Sequence, residues 1–338
     1  MRAKKGLTFD DVLLIPKCSP VESRSDVKTD SVVAGDVSVS VPIISANMDT
    51  VTETEMAESM ANNGAFSIIH RYMSYTEQAN MINSISNTVG ASVGVNVTQS
   101  DITLLENAGA ALICFDIAHC DLEHVHSRIE EIVKWSNVPV VAGNVATYDA
   151  AERLSECNVD AIKVGIGPGS ACITREVTGA GVPQITAISD VANFIRNNNP
   201  SIKIIADGGI RKSGDIVKAL MAGADTVMIG GMFSRTEEAP GNTFTDQNGN
   251  KYKEFRGMAS NEARNERNKN QTNTGAVEGV STKVPVDSSV QTKITKLQSG
   301  IKSGLSYCGG HTIEQARKNH EFIETSNATT SMNSSHSI

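Results

Sequence analysis

No Cys-x-x-Cys pair and no regular spacing links Cys18, Cys114, Cys120, Cys157, Cys172 and Cys308, so neither a zinc site nor a disulfide framework can be read from the thiols. Long apolar runs are missing too. The opening MRAKKGLTFDDVLLIP offers only Val12–Ile15, where a signal peptide needs roughly 7–15 apolar residues. No stretch approaches the ~20 apolar residues of a membrane span. Excess positive charge is also absent: the net charge is -8, which would repel a nucleic-acid backbone. These absences predict a cytoplasmic chain with reduced thiols and neither a membrane nor a nucleic-acid partner. A small anionic ligand stays open, because local backbone amides can bind it whatever the global charge.

What the chain does contain is a repeating unit. Short apolar, β-branched runs occur at Pro42–Ala46, Phe66–Ile69, Ala91–Val95, Ala110–Phe115, Val138–Ala142, Ala161–Val164, Ile202–Ala206 and Thr226–Ile229. They are continuous rather than alternating, as a parallel strand buried on both faces requires. Helix-like segments such as Asp149–Glu156 and Ser213–Met221 lie between them. Eight such units predict a closed (β/α)8 barrel, with an open doubly wound sheet as the alternative; a length of 338 residues suits one barrel of roughly 250 residues plus decorations. Residues 1–324 are read as one catalytic domain. Within it, the Asn-, Gly- and charge-rich stretch 235–286 is long enough for a functional flap. The Ser/Thr/Asn-rich tail 325–338 is expected to be disordered.

In such a barrel the active site is built where strands end. The residues there are Asn47, His70, Asn96, Asp116, Asn144, the Gly165–Thr174 loop, Asp207 and Gly230. Any one of them could be a cap, but together they converge on one mouth. Asp207-Gly208-Gly209 and Gly230-Gly231 follow the seventh and eighth strands, where bare backbone lets amides reach a phosphate. Asp207 suits a ribose diol. In the sixth loop, Gly165-Ile166-Gly167-Pro168-Gly169-Ser170-Ala171-Cys172-Ile173-Thr174-Arg175, the glycines can present carbonyls to a cation or amides to a phosphate. Cys172 lies beyond its strand, where a thiolate can reach a ligand; Cys114, inside the fourth strand, reads as a buried hydrophobe.

Leu7-Thr8-Phe9-Asp10-Asp11-Val12-Leu13-Leu14, Ser45-Ala46-Asn47-Met48-Asp49-Thr50-Val51, GIGPGSACITR, ADGGIRKSGDIVKALMAGAD and Arg256-Gly257-Met258-Ala259-Ser260 together resemble the IMP dehydrogenase/GMP reductase family along nearly the whole chain. The resemblance implies a thioimidate between the cysteine and purine C2. A dehydrogenase oxidises IMP with NAD and hydrolyses that adduct to XMP; a reductase displaces ammonia from GMP and reduces it to IMP with NADPH. Three features favour the reductase: no paired regulatory insertion after His70-Arg71-Tyr72-Met73-Ser74, a short segment 261–276 without an Arg-Tyr pair, and reductase-like runs including Ser23-Arg24-Ser25 and Gly230-Gly231-Met232. Thr236–Gly241, Gly209-Ile210-Arg211 and His119 are similar to dehydrogenases, so IMP dehydrogenase stays as the alternative. A non-catalytic nucleotide-binding barrel is a remote third.

By resemblance Cys172 is the nucleophile, with Thr174 and Glu278 delivering a proton to departing ammonia. The substrate would contact Ser170, Asp207, Gly208, Gly209, Gly230, Gly231, Gly257, Met258 and Ala259. The cofactor would meet Arg71, Asp116, Ile117, Ala118, Ile166 and Gly167, with Ser23, Arg24, Ser303 and Ser306 reaching it from a neighbouring subunit of a homotetramer. A potassium ion is expected at Gly167, Gly169 and Cys172, with Arg175 nearby. One departure stands out: Thr274-Gly275 replaces a Tyr-Arg pair that reductases tend to carry before the flap acid, which weakens the expectation of NADPH over NADH. Arg264 or Arg267 could serve as the water-activating base of a dehydrogenase.

Overall fold

The computed structural model describes residues 3–263 and 276–326. Its eight parallel strands are β1 (Ile43–Ser45), β2 (Phe66–Ile69), β3 (Val89–Val93), β4 (Ala110–Asp116), β5 (Val140–Val145), β6 (Ala161–Val164), β7 (Lys203–Asp207) and β8 (Thr226–Ile229). Each pairs with its chain neighbour, and β8 returns to β1 through Val227–Ile43, Met228–Ile44 and Ile229–Ser45. That last pairing closes the (β/α)8 barrel and excludes the open sheet. Every residue of β1, β2, β5, β6 and β8 is buried. Helices cover one side of these strands and the barrel core fills the other, so no face is left for alternating polar residues.

The helices are α1 (Thr54–Asn62), α2 (Tyr75–Ser84), α3 (Gln99–Asn107), α4 (Glu123–Trp135), α5 (Tyr148–Glu156), α6 (Thr174–Thr178), α7 (Gln184–Asn198), α8 (Ser213–Ala222), α9 (Val290–Tyr307) and α10 (Ile313–Lys318). Their starts are written locally. Ser74 with Glu77, and Thr98 with Asp101, close reciprocal capping boxes at α2 and α3. Thr147 and Ser289 cap α5 and α9. None of the described helices is long and apolar enough to cross a membrane.

Two strands differ from expectation by more than one residue at an end. β3 lies two residues upstream of the run Ala91–Val95, because the chain turns at Gly94, whose carbonyl accepts Val97 N–H at 3.2 Å, and leaves Val95 exposed. β5 runs on past Ala142 and takes Asn144 into the strand. Outside the barrel, Val12–Leu14 pairs antiparallel with Phe322–Glu324. Thr325, the first residue of the expected tail, still donates its N–H to Asp11 O at 2.8 Å; residues 327–338 lie outside the described residues. The expected flap has a three-stranded antiparallel base of β9 (Phe244–Thr245), β10 (Lys251–Arg256) and β11 (Ser281–Pro285).

Candidate active site

Loops six, seven and eight meet at one end of the barrel. Gly208 and Gly209 adopt φ of +89° and +82°, a region that penalises any side chain. A Cβ on Gly208 would also stand 2.9 Å from Pro168 Cγ and 3.1 Å from Gly169 N. A Cβ on Gly231 would stand 2.8 Å from Ser170 Oγ. Ser170, Gly208 and Gly231 are therefore brought together, and Gly209 follows directly. Gly230 lies beside Met48, with Sδ 3.1 Å from where its Cβ would be.

Cys172 sits on the sixth loop, half-buried, and opposite it lies the far end of the flap. Ile173 N–H donates to Glu278 O at 2.9 Å, Val280 N–H to Ala171 O at 3.0 Å, and Cys172 faces Gly279 in an isolated bridge. This zipper carries the Glu278 side chain to the thiol. Cys172 Sγ donates to Thr174 Oγ1 at 3.1 Å, and that hydroxyl donates to Glu278 Oε2 at 2.8 Å. The three catalytic candidates form one hydrogen-bonded chain, in which Thr174 and Glu278 lie 104 residues apart in sequence.

Gly257, Met258 and Ala259 lie where the flap leaves β10. Gly257 N–H donates to Val280 O at 3.0 Å, Ala259 O accepts Glu278 N–H at 3.2 Å, and Met258 O accepts the Tyr72 hydroxyl at 3.1 Å. Their approach is fixed by Arg256, whose Nη2 reaches Asp49 Oδ2 at 2.5 Å and whose N–H donates to Thr50 Oγ1 at 3.3 Å. Two sequence motifs thus grip one another, and the flap is anchored by the pair of buried Arg256 and half-buried Asp49.

Across the mouth, the strand-end residues Asp116, Asn144 and Asp207 are joined by a lysine that has no signature in the sequence. Lys163, on β6, is 2% exposed. Its ammonium donates to Asp116 Oδ1 at 2.9 Å, to Asp207 Oδ2 at 3.0 Å and to Asn144 Oδ1. Burial opposes the ammonium charge, but Asp116 and Asp207 outweigh it and push its pKa above the ordinary range. Burial likewise opposes ionisation of Asp116, yet Lys163 and Arg71 hold that carboxyl below its ordinary value. Arg71 Nε also donates to Asp116 O at 3.1 Å, while Ile117 N–H donates to Gly143 O at 2.9 Å, fixing the turn into Ala118. Gln184, also buried, donates to Val164 O at 2.9 Å and Asp207 O at 3.0 Å, locking the ends of β6 and β7.

Arg175 donates to Ile166 O at 3.0 Å and Val182 O at 2.6 Å. Its guanidinium is a brace for the loop and cannot itself ligate a cation. Ser23, Arg24, Ser303 and Ser306 gather elsewhere, around Tyr307: Arg24 Cζ stands 5.9 Å from that ring's centroid, and Ser306 Oγ donates to Ser303 O at 2.8 Å. Tyr307, 58% exposed, is a residue that no motif in the sequence marks. Arg264, Arg267 and Thr274-Gly275 lie outside the described residues.

Residues 6–336 match the IMP dehydrogenase / GMP reductase domain. The chain belongs to this family. It is 34% identical to an inosine-5'-monophosphate dehydrogenase of Nitrosopumilus maritimus, with 97% of each chain covered. It is 36% identical to that of Cryptosporidium parvum over 95% of this chain and 92% of the relative. A GMP reductase of Leishmania donovani is 29% identical, covering 99% and 97%. Among solved structures, a cysteine-to-alanine variant of GMP reductase from Trypanosoma brucei, in complex with guanosine 5'-monophosphate, superposes with a TM-score of 0.94 at 28% identity, covering 99% of this chain and 98% of that one.

Membership makes this an oxidoreductase of purine nucleotides, drawing on a nicotinamide cofactor. The same comparisons remove one argument about direction. The Leishmania reductase aligns over 481 positions and the Cryptosporidium dehydrogenase over 373, against 338 residues here. The longer extra stretch belongs to the reductase, so lacking an insertion does not separate the two reactions. The dehydrogenase-like runs lose weight as well, because they brace the fold. Glu238 accepts Val290 N–H at 3.1 and 3.0 Å at the start of α9, and Arg211 Nη2 donates to Asp10 at 2.7 Å.

Proposed function

We propose that the protein is a GMP reductase. Cys172 Sγ attacks purine C2 of GMP, the C2–N bond breaks, and the 2-amino group leaves as ammonia. The thioimidate then accepts hydride at C2, the C–S bond breaks, and IMP departs with Cys172 restored. The observation that carries covalent chemistry at Cys172 is the chain Cys172–Thr174–Glu278, and the missing Arg-Tyr pair favours the reductive course. An amide anion is far too basic to leave unaided, and this chain can move a proton from the attacking thiol to the departing nitrogen. Attack by water would need a further base on the flap, and residues 261–276 contain no Arg-Tyr pair.

Ser170, Gly208, Gly209, Gly230 and Gly231 take the phosphate, Asp207 the ribose, and Gly257, Met258 and Ala259 the base. NADPH, when bound, supplies the hydride. Asp116 fits its nicotinamide ribose, since a carboxylate accepts from two hydroxyls, with Arg71, Ile117, Ala118, Ile166 and Gly167 around it. Ser23, Arg24, Ser303 and Ser306 serve the neighbouring site in a cytoplasmic homotetramer. Among the described residues no donor takes the carbonyls of Gly167 or Cys172, hard oxygens that suit potassium; Gly169 O shares itself with Cys172 N–H at 3.1 Å.

A second reading, IMP dehydrogenase, is favoured by the Nitrosopumilus and Cryptosporidium relatives, which carry that name and are 34% and 36% identical. In it, Arg264 or Arg267 would activate water. Incubation with GMP alone, followed by denaturation and peptide mass spectrometry, tests the proposal. A purine nucleotide on the Cys172 peptide with matching ammonia release is expected. An adduct arising from IMP plus NAD but never from GMP would overturn it.

A further inference from the structure

Lys163 occupies a position where a barrel ordinarily packs an aliphatic side chain. Its one nitrogen is hydrogen-bonded to side chains from three other strands: Asp116 of β4, Asn144 of β5 and Asp207 of β7. Asn144 Nδ2 also donates to the same Asp207 oxygen, Oδ2, at 2.9 Å. That oxygen is therefore saturated from below, and no described residue bonds Oδ1. Asp116 is held in the same manner, with Lys163 on Oδ1 and Arg71 Nε 3.7 Å from Oδ2. A buried ammonium between two carboxylates is a poor device for stability alone, since apolar side chains of similar volume usually serve as well or better. Its geometry fits another task.

We propose that Lys163 is a positioning residue that fixes the spacing between the two ribose-facing carboxylates, Asp207 and Asp116, and so the alignment of purine C2 with the hydride donor. This rests on the nucleotide reading above, in which Asp207 takes the substrate ribose and Asp116 the cofactor ribose. Lys163 needs to touch neither ligand. Both carboxylates are bonded to one atom, so displacing either moves the other. A misplacement of about 1 Å can cost roughly 100-fold in rate.

Lys163→Gln and Lys163→Arg separate positioning from packing. Three quantities are read: the nucleotide concentration that half-protects Cys172 from alkylation without cofactor, the KM for the reduced cofactor, and the primary isotope effect with cofactor deuterated at the transferred position. Lys163→Gln removes a charge-assisted partner from both carboxylates and should raise the first two by about 10-fold or more. Lys163→Arg keeps the charge but changes the reach of the strut. It should leave nucleotide protection near the wild-type value while hydride transfer slows by about 10-fold or more, with an increased isotope effect. If Lys163→Gln does not fold, that split in Lys163→Arg decides the matter by itself. Wild-type protection and cofactor KM in Lys163→Gln with only a lowered melting temperature, or undiminished hydride transfer in Lys163→Arg, would overturn the proposal. Failure of both GMP and IMP to protect wild-type Cys172 would be a different result, removing the nucleotide reading and this inference with it.

Discussion

Burial sorts the thiols of this protein. It pushes Cys114 and Cys120 up to about 12 and Cys157 to about 11, and raises Cys308 as well, so these four stay protonated at neutral pH. Cys172 is half-buried beside Thr174, and Cys18 is exposed. Timed alkylation with peptide mapping should label Cys172 and Cys18 first, with GMP or IMP slowing Cys172 alone; uniform labelling of all six would contradict the burial. Cys172→Ala should lower turnover by at least about 1000-fold while equilibrium dialysis still detects nucleotide. Cys172 was legible from its place just beyond a strand end. Lys163 was not, because a single lysine inside the apolar run Ala161–Val164 breaks no periodicity, and its partners are 19, 44 and 47 residues away. The one available signal was the cost of burying a charge, which is met only by charges of opposite sign nearby.

At the scale of elements, the flap is held at both ends. Arg256 and Asp49 fix its departure, and the bridge between Cys172 and Gly279 fixes its return. Asp49→Asn leaves a buried guanidinium with a weaker partner. It should raise the nucleotide KM and lower kcat together by about 10-fold, since Met258 and Glu278 both depend on the same flap; steady-state kinetics would show a loss confined to stability if the clamp were only structural. Glu238→Gln, at the start of α9, should cost about 1 kcal/mol in thermal unfolding and leave kcat unchanged. The barrel elements were legible because buried parallel strands demand continuous apolar runs. The flap sheet was not: Lys251–Arg256 and Ser281–Pro285 pair across a long intervening segment, and their charged residues carry no strand pattern. Val95 misled for the opposite reason, being β-branched yet placed in a turn.

At the scale of the whole molecule, the buried network makes a prediction about acid. Lys163 and Arg71 hold the Asp116 carboxyl below its ordinary value against the opposing effect of burial. A depressed carboxyl contributes stability that is fully present above its unfolded value, about 4, and is lost as pH falls through the folded value. Thermal unfolding followed below about pH 4 should therefore show a loss that Asp116→Asn removes; an identical acid limb in that variant would assign the loss elsewhere. Fold and family were legible at this scale, since eight repeating units and the motif set spanned nearly the whole chain. Reaction direction was not, because the resemblance gives both reactions the same candidates, Cys172, Thr174 and Glu278, and the two part only in how the shared adduct is formed and consumed. One comparison resolves it: absorbance of the reduced nicotinamide, followed with GMP plus NADPH in one cuvette and IMP plus NAD in another. We predict NADPH consumption with stoichiometric ammonia and IMP in the first, and little or no XMP in the second; rapid, sustained XMP formation from IMP with no turnover of GMP would contradict the account.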